Sequence, residues 1–244
     1  MTAVEDQSPP AQAGPHEAVH ALLLDMDGLI FDSERLAREA WRAALLARGY
    51  ELRDKVYLRA VGRTASEARA VFVGAFGDGL PVAAIEEDKA RRLRELLGEA
   101  PPLKPGLGDL LDEAERLGVP AAVASATAAP EVRRRLAAAG LERRFAAVAG
   151  GDEVHAGKPA PDLFLRAAEL LGAPPSACLV VEDAEAGIRA AAAAGMAAVM
   201  VPDLVRPSAA CRALCAAVVG SLAEVAPILR GLAGSARSPR RPVP

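Results

Sequence analysis

His20-Ala21-Leu22-Leu23-Leu24-Asp25-Met26-Asp27-Gly28 is a short apolar run that breaks off at two carboxylates and a glycine. A strand buried on both faces reads as a continuous hydrophobic run, and its abrupt polar end is where a parallel sheet receives ligands. Comparable runs recur at 119–124, 145–149, 177–181 and 197–201. Helical patterns separate them over 106–117, 129–139, 160–171 and 184–194, each stopped by a glycine: Gly118, Gly140, Gly172 and Gly195. A last helix near 222–232 would close the core. This alternation predicts an α/β fold, a doubly wound, Rossmann-like parallel sheet.

Between 34 and 103 the rhythm changes. Helical patterns at 34–48, 64–76 and 82–97 follow one another with no strand between them, which predicts an inserted all-helical cap domain. The chain leaves it through Pro101-Pro102-Leu103-Lys104-Pro105-Gly106, a stiff connector suited to a lid. The expected division is a disordered leader at 1–19, a catalytic core at 20–33 and 104–234, the cap at 34–103 and a disordered tail at 235–244.

The 244 residues carry 29 Lys+Arg against 32 Asp+Glu, a net charge of -3, and aromatics make up only 3%. Neither an electrostatic footprint for nucleic acid or anionic membrane nor a base-stacking surface is indicated. Three cysteines, Cys178, Cys211 and Cys215, with no C-x-x-C pair, argue against a disulfide framework or zinc site and for a reducing compartment. The first 20 residues lack the basic and apolar regions of a secretory signal, and no apolar run is long enough to span a membrane. A cytoplasmic protein is expected.

Four groups of polar residues stand at predicted strand ends or helix starts. Asp25 and Asp27 leave the first strand among residues that would desolvate them, so a hard cation is the natural compensation, and Glu182-Asp183 supply further oxygen ligands of the kind Mg2+ prefers. Ser125, Ala126 and Thr127 offer a hydroxyl and backbone N–H groups to an anion, although helix capping by Thr127 explains them equally well. Lys158 is one of only four lysines, and Gly157 and Pro159 fix its approach as a phosphate clamp.

Together, Asp25-Met26-Asp27-Gly28-Leu29-Ile30-Phe31-Asp32-Ser33-Glu34, Ala124-Ser125-Ala126-Thr127, Gly157-Lys158-Pro159-Ala160-Pro161-Asp162 and Glu182-Asp183-Ala184-Glu185-Ala186-Gly187-Ile188 resemble the four motifs of the haloacid dehalogenase-like superfamily. The nearest branches are the β-phosphoglucomutase-like and pseudouridine-phosphatase-like ones. The resemblance spans about 21–203. It implies a Mg2+-dependent phosphatase acting on a small phosphate monoester, a sugar or nucleoside phosphate, through an aspartyl-phosphate. By that similarity Asp25 is the nucleophile and Asp27 the general acid/base, while Ser125, Ala126 and Lys158 bind phosphate. Asp25, Asp27 through its carbonyl, and Asp183 hold the metal, with Glu182 ligating directly or through water. The expected partner is a small-molecule phosphate ester, and the expected state a monomer or weak homo-oligomer.

A phosphosugar mutase of the β-phosphoglucomutase type is the alternative, but its cap histidine has no counterpart in Arg35-Leu36-Ala37-Arg38. A non-catalytic phosphate-ligand binding protein is a further alternative, disfavoured because no motif residue is missing. Specificity is assigned to cap residues, with Arg63 foremost beside Arg59 and Arg69. Gly74-Ala75-Phe76-Gly77-Asp78-Gly79 reads as an inter-helix turn and His155 as a loop residue without a catalytic role.

Overall fold

A computed structural model describes residues 18–234 apart from 62, 64, 99 and 100. After β1 (Ala21–Leu24) come four helices in succession: α1 (Ser33–Leu46), α2 (Asp54–Ala60), α3 (Ala65–Phe76) and α4 (Val82–Leu97). The chain then alternates through α5 (Leu107–Leu117), β2 (Ala121–Ser125), α6 (Ala129–Ala138), β3 (Ala147–Gly150), α7 (Asp162–Leu171), β4 (Cys178–Glu182), α8 (Glu185–Ala193) and β5 (Ala197–Met200). It ends with α9 (Ala209–Arg212), β6 (Ala217–Val218) and α10 (Val225–Gly234).

The sheet is parallel throughout, in the order β3-β2-β1-β4-β5-β6. The strand order reverses direction at β1, which places a ligand crevice beyond the carboxyl ends of β1, β2 and β4. Side chains alternate between two apolar layers. Leu22, Leu24, Val123 and Val181 face α5 and α10, while Leu23, Ala122, Ala124 and Val180 face α7 and α8. The second face carries alanines against Phe164 and Ala167, so α7 can pack closely without many aromatics. Full burial of a leucine contributes roughly 1.5–3 kcal/mol, which makes β1 a strong anchor for the residues that follow it.

The helices from Ser33 to Leu97 pack on a core of their own, built around Leu45, Tyr57, Phe72 and Ile85, with the Trp41 and Phe72 rings 4.4 Å apart. The outgoing and returning chains between this helical unit and the sheet run antiparallel. Asp32 N donates to the Pro102 carbonyl at 2.8 Å, and Lys104 N donates to the Ile30 carbonyl at 2.9 Å, flanking a Phe31–Leu103 bridge. Lys104 Nζ lies 2.7 Å from Asp203 and 3.5 Å from Asp32, pinning this stem to the sheet.

Three short elements depart from the sequence reading: α2, α9 and the two-residue β6. The expected closing helix begins as a single tight turn, Leu222–Glu224, before α10. Val19, assigned to the leader, instead packs in the core and donates to the Leu232 carbonyl; residues 1–17 and the tail at 235–244 lie outside the described residues. Cys178, Cys211 and Cys215 are unpaired thiols. Among the described residues no helix is long and apolar enough to cross a membrane.

Candidate active site

The sheet register sets the site. Leu24 pairs with Val123 and with Val181, so the next residues, Asp25, Ala124 and Glu182, arrive side by side at three adjacent strand ends. Lys158, from the loop before α7, touches all three. Its Nζ donates to the Asp25 carboxylate, to the Ala124 carbonyl at 3.1 Å and to Glu182 Oε1 at 2.6 Å. A single ammonium thus gathers β1, β2 and β4 at the switch point, with three donors directed by three acceptors.

These charges are buried. Burial pushes the Asp25 carboxyl up to about 7, with Glu182 and Asp27 adding to the rise and Lys158 opposing it. Asp183 is likewise held well above the usual carboxylate range by burial and by Glu182 and Asp25. Burial works against the Lys158 charge, but Asp25 and Glu182 outweigh it, so the ammonium is held firmly protonated.

Glu182, expected to ligate the metal directly or through water, is held by two donors of the protein. One oxygen accepts from Lys158 and the other from the Ala184 amide at 2.9 Å, so both are occupied in steering the lysine and the turn into α8. Gly187 makes this possible, because a Cβ there would collide with the Glu182 carboxylate. Asp183 instead crosses over Gly28, whose φ of 87° and bare Cα leave room for its carboxylate against the Asp25–Asp27 turn. The loop itself is closed by Gly28 N, which donates to the Phe31 carbonyl at 2.9 Å and to Ser33 Oγ at 3.1 Å.

Asp27 is held by two groups from the β2–α6 segment. Thr127 Oγ1 donates to its Oδ2 and Arg135 Nη1 to its Oδ1, each at 3.2 Å. Arg135 is buried and is itself braced by Glu131, which accepts from its Nε at 2.8 Å. Thr127 was singled out only as an anion contact or cap, and Arg135 was missed. The available signal was spacing: Arg135 lies three residues after Val132 and beside Leu136, on the buried side of α6.

Asp25, Asp27, Ala126, Lys158, Glu182, Asp183 and Arg63 line one cavity of about 330 Å³. Ser125 sits beneath it at the end of β2, with Oγ accepting from Thr127 N at 3.1 Å. Of the three cap arginines, only Arg63 lines this cavity. Arg69 is paired with Glu86 on α4, and Arg59 contributes its carbonyl to Arg63 Nε at 2.6 Å. His155 is exposed on its loop. Glu34 also faces the cavity and accepts from Tyr57 Oη at 3.2 Å; burial raises its carboxyl. Burial lowers the Lys89 ammonium on α4, the charges of Glu34 and Asp27 opposing the fall, and its Nζ lies 5.7 Å from the centre of the Trp41 ring.

The oxygen donors fit a hard cation. Among the described residues no three His, Cys, Asp or Glu side chains form a ready-made cage. Mg2+ commonly uses one or two carboxylates and keeps waters. Asp25 and Asp183, both disfavoured as anions by burial, are the pair such a charge would relieve.

A buried aspartate at a switch point, a clamped lysine and a second, separately held aspartate define an acid-rich hydrolase site on a Rossmann-like sheet. Residues 19–195 match the haloacid dehalogenase-like hydrolases, and the chain belongs to that family. It is 34% identical over 193 residues to protein CbbY of Rhodobacter capsulatus, covering 75% of this chain and 85% of that one. It is 33% identical over 186 residues to the fructose-1-phosphate phosphatase YqaB of Escherichia coli, covering 76% and 98%. Among solved structures, CbbY from Rhodobacter sphaeroides in complex with phosphate superposes with a TM-score of 0.68 at 31% identity, covering 85% of this chain and 96% of that chain.

Proposed function

We propose that this enzyme is a Mg2+-dependent phosphatase that hydrolyses a small sugar or nucleoside phosphate through an aspartyl-phosphate on Asp25. The observation that carries this reading is Lys158, whose ammonium is fixed against Asp25 by the Ala124 carbonyl and Glu182, beside an aspartate with independent support. Relatives named for phosphatase activity on fructose 1-phosphate and on phosphorylated carbohydrates support the sugar-phosphate class.

In this reading an Asp25 carboxylate oxygen attacks phosphorus in line with the ester oxygen. The P–O bond to the alcohol breaks as Asp27 delivers a proton to that oxygen. Asp27 then takes a proton from water, whose oxygen attacks the aspartyl-phosphate, releasing inorganic phosphate and restoring Asp25. Lys158, the Ser125 hydroxyl and the Ala126 amide hold the phosphoryl oxygens, since phosphoryl transfer depends chiefly on positioning and charge neutralisation. Asp25, Asp183 and the Asp27 carbonyl would hold Mg2+, which would supply positive charge for the transferring group.

Arg63 is the cap residue assigned to the leaving alcohol. The three unpaired thiols support a reducing, cytoplasmic setting, and we assign a monomer or weak homo-oligomer.

The test is a panel of phosphate monoesters assayed with Mg2+ for phosphate release, with β-glucose 1-phosphate isomerisation followed alongside. Hydrolysis that disappears in Asp25→Asn is the expected result. Near-wild-type turnover by that variant would overturn the nucleophile, and isomerisation without phosphate release would establish a mutase.

A further inference from the structure

Of the acids that line the Asp25–Lys158 cavity, one has no part in the reaction described above. Asp25 and Glu182 meet Lys158, Asp27 meets Thr127 and Arg135, and Asp183 lies over Gly28. Glu34 enters the same cavity from the first turn of α1. Any acid near a helix N-terminus is favoured there, but this one is turned inward and held. The hydroxyl of Tyr57, a buried residue of α2, lies 3.2 Å from Glu34 Oε2 and 3.2 Å from the Glu34 carbonyl. Glu34 Cγ stands 3.2 Å from where a Cβ on Gly28 would be, so the bare Cα of the catalytic loop seats this side chain as well as Asp183.

Tyr57 occupies one carboxylate oxygen of Glu34. Among the described residues no hydrogen bond or ion pair reaches the other, Oε1. A carboxylate oxygen only accepts, so its partner has to be a donor, and in this cavity the donor left to supply it is the ligand. Arg63 lines the same cavity, and a guanidinium only donates. A hydroxyl satisfies both, giving its proton to the carboxylate and accepting from the guanidinium. An amine in the same place would meet the charge of Arg63, and an anion that of Glu34.

We propose that Glu34 reads the leaving alcohol: Oε1 accepts the proton of a hydroxyl carried by the alcohol portion, while Tyr57 fixes the other carboxylate oxygen. The proposal rests on the phosphatase reading, in which Arg63 alone was assigned to the alcohol. It gives the site a preference for polyhydroxy esters over alkyl esters of equal length, with Glu34 as the specificity-determining residue. Tyr57 is a positioning residue that acts through Glu34.

The experiment uses pairs of esters that differ only in hydroxyl groups, glycerol 3-phosphate against propyl phosphate and sorbitol 6-phosphate against hexyl phosphate. Phosphate release is followed with Mg2+ in mildly alkaline buffer, where carboxyls are ionised. The expected kcat/KM is about tenfold or more higher for the hydroxylated member of at least one pair, the scale of one hydrogen bond to a charged group. Glu34→Ala should lower that ratio by about tenfold, and Glu34→Gln, which keeps an acceptor, should lower it less. Tyr57→Phe should lower it by about threefold, because the carboxylate stays but loses its anchor. A wild-type ratio near one in both pairs, or a ratio unchanged in both Glu34 variants, overturns the proposal. A fall in turnover that is equal for both members of a pair leaves the ratio unchanged, so a merely structural role for Glu34 gives the overturning result. Thermal melts establish that the variants are folded, and Glu34→Gln carries the comparison if Glu34→Ala is not.

If no ester is hydrolysed, the phosphatase reading fails instead, and calorimetry with 2,3-dihydroxypropylphosphonate and propylphosphonate decides the role of Glu34 separately. Tighter binding of the dihydroxy compound that is lost in Glu34→Gln supports it. Equal binding of the two compounds, no binding, or a preference intact in the variant overturns it.

Discussion

Arg135, on the second half of α6, places its Nη1 3.2 Å from Asp27 Oδ1, although the two residues are 108 apart in sequence. The contact links the helix after β2 to the loop after β1 and fixes which way the Asp27 carboxylate turns. Arg135→Met keeps much of the bulk and removes the donor. We expect kcat to fall by about tenfold or more with KM little changed, because misorientation of a reacting group acts on the chemical step. Arg135→Lys should recover part of the loss. Steady-state kinetics on one good ester measures both, and a shift confined to KM would refute the role.

Gly187→Ala tests the orientation of Lys158 from a distance. The added methyl lands on the Glu182 carboxylate, which must swing away and leave the ammonium with one fewer acceptor. Overpacking of this kind costs about 1–3 kcal/mol, or about 2–4 °C in melting temperature per kcal/mol for a chain of this size. KM should rise as well if Lys158 holds phosphate as proposed. A melt and a kinetic profile like wild type would contradict the packing described.

Metal removal carries a pH signature. Asp25 is pushed up to about 7 and Asp183 is also raised, burial being the main cause for both, so protons compete with Mg2+ for their oxygens in acid. Affinity should increase as pH rises through about 7, the value for Asp25. For the metal-free protein, a folded-state value above the ordinary 3.8 means the folded form binds the extra proton. This term's contribution to stability therefore falls as pH rises from 3.8 to about 7. The gain in melting temperature on adding Mg2+ should be larger at about pH 8 than at about pH 5. Chelation should stop turnover, and restored Mg2+ should return it.

Glu113 supplies a pH effect remote from the site. Hydrogen bonds from Arg116 and Arg230 hold its carboxyl down at about 2 from an ordinary 4.5, tying α5 to α10. The folded form favours the ionised group, so this stabilisation is complete above pH 4.5 and is lost as pH falls through about 2. Glu113→Gln should melt lower than wild type at neutral pH, and the gap should close in acid. A pH-independent gap would point to packing alone.

The sheet and much of the site were legible because each signal is local. Asp25 and Asp27 end an apolar run, and Ser125 and Glu182 end two others, so strand periodicity alone brings them to one edge. Lys158 was identifiable by its scarcity and its glycine–proline setting. Arg135 was hidden within Arg133-Arg134-Arg135, which reads as a solvated charge run unless the Ala129, Val132 and Leu136 stripe is traced past it. The contacts of Glu182 to Lys158 and to the Ala184 amide were not legible, because they depend on the bare Cα of Gly187 five residues on. The two residues of β6 are too few for any periodicity to show.

The helices between Ser33 and Leu97 join the sheet through a single antiparallel stem at Phe31-Asp32 and Leu103-Lys104. Entry and exit therefore lie together, with Lys104 fastening them to Asp203. That unit is a cassette. A different bundle grafted onto the same pair of ends would leave Asp25, Asp27 and Lys158 where they are, so the unit can be exchanged without rebuilding the strand ends.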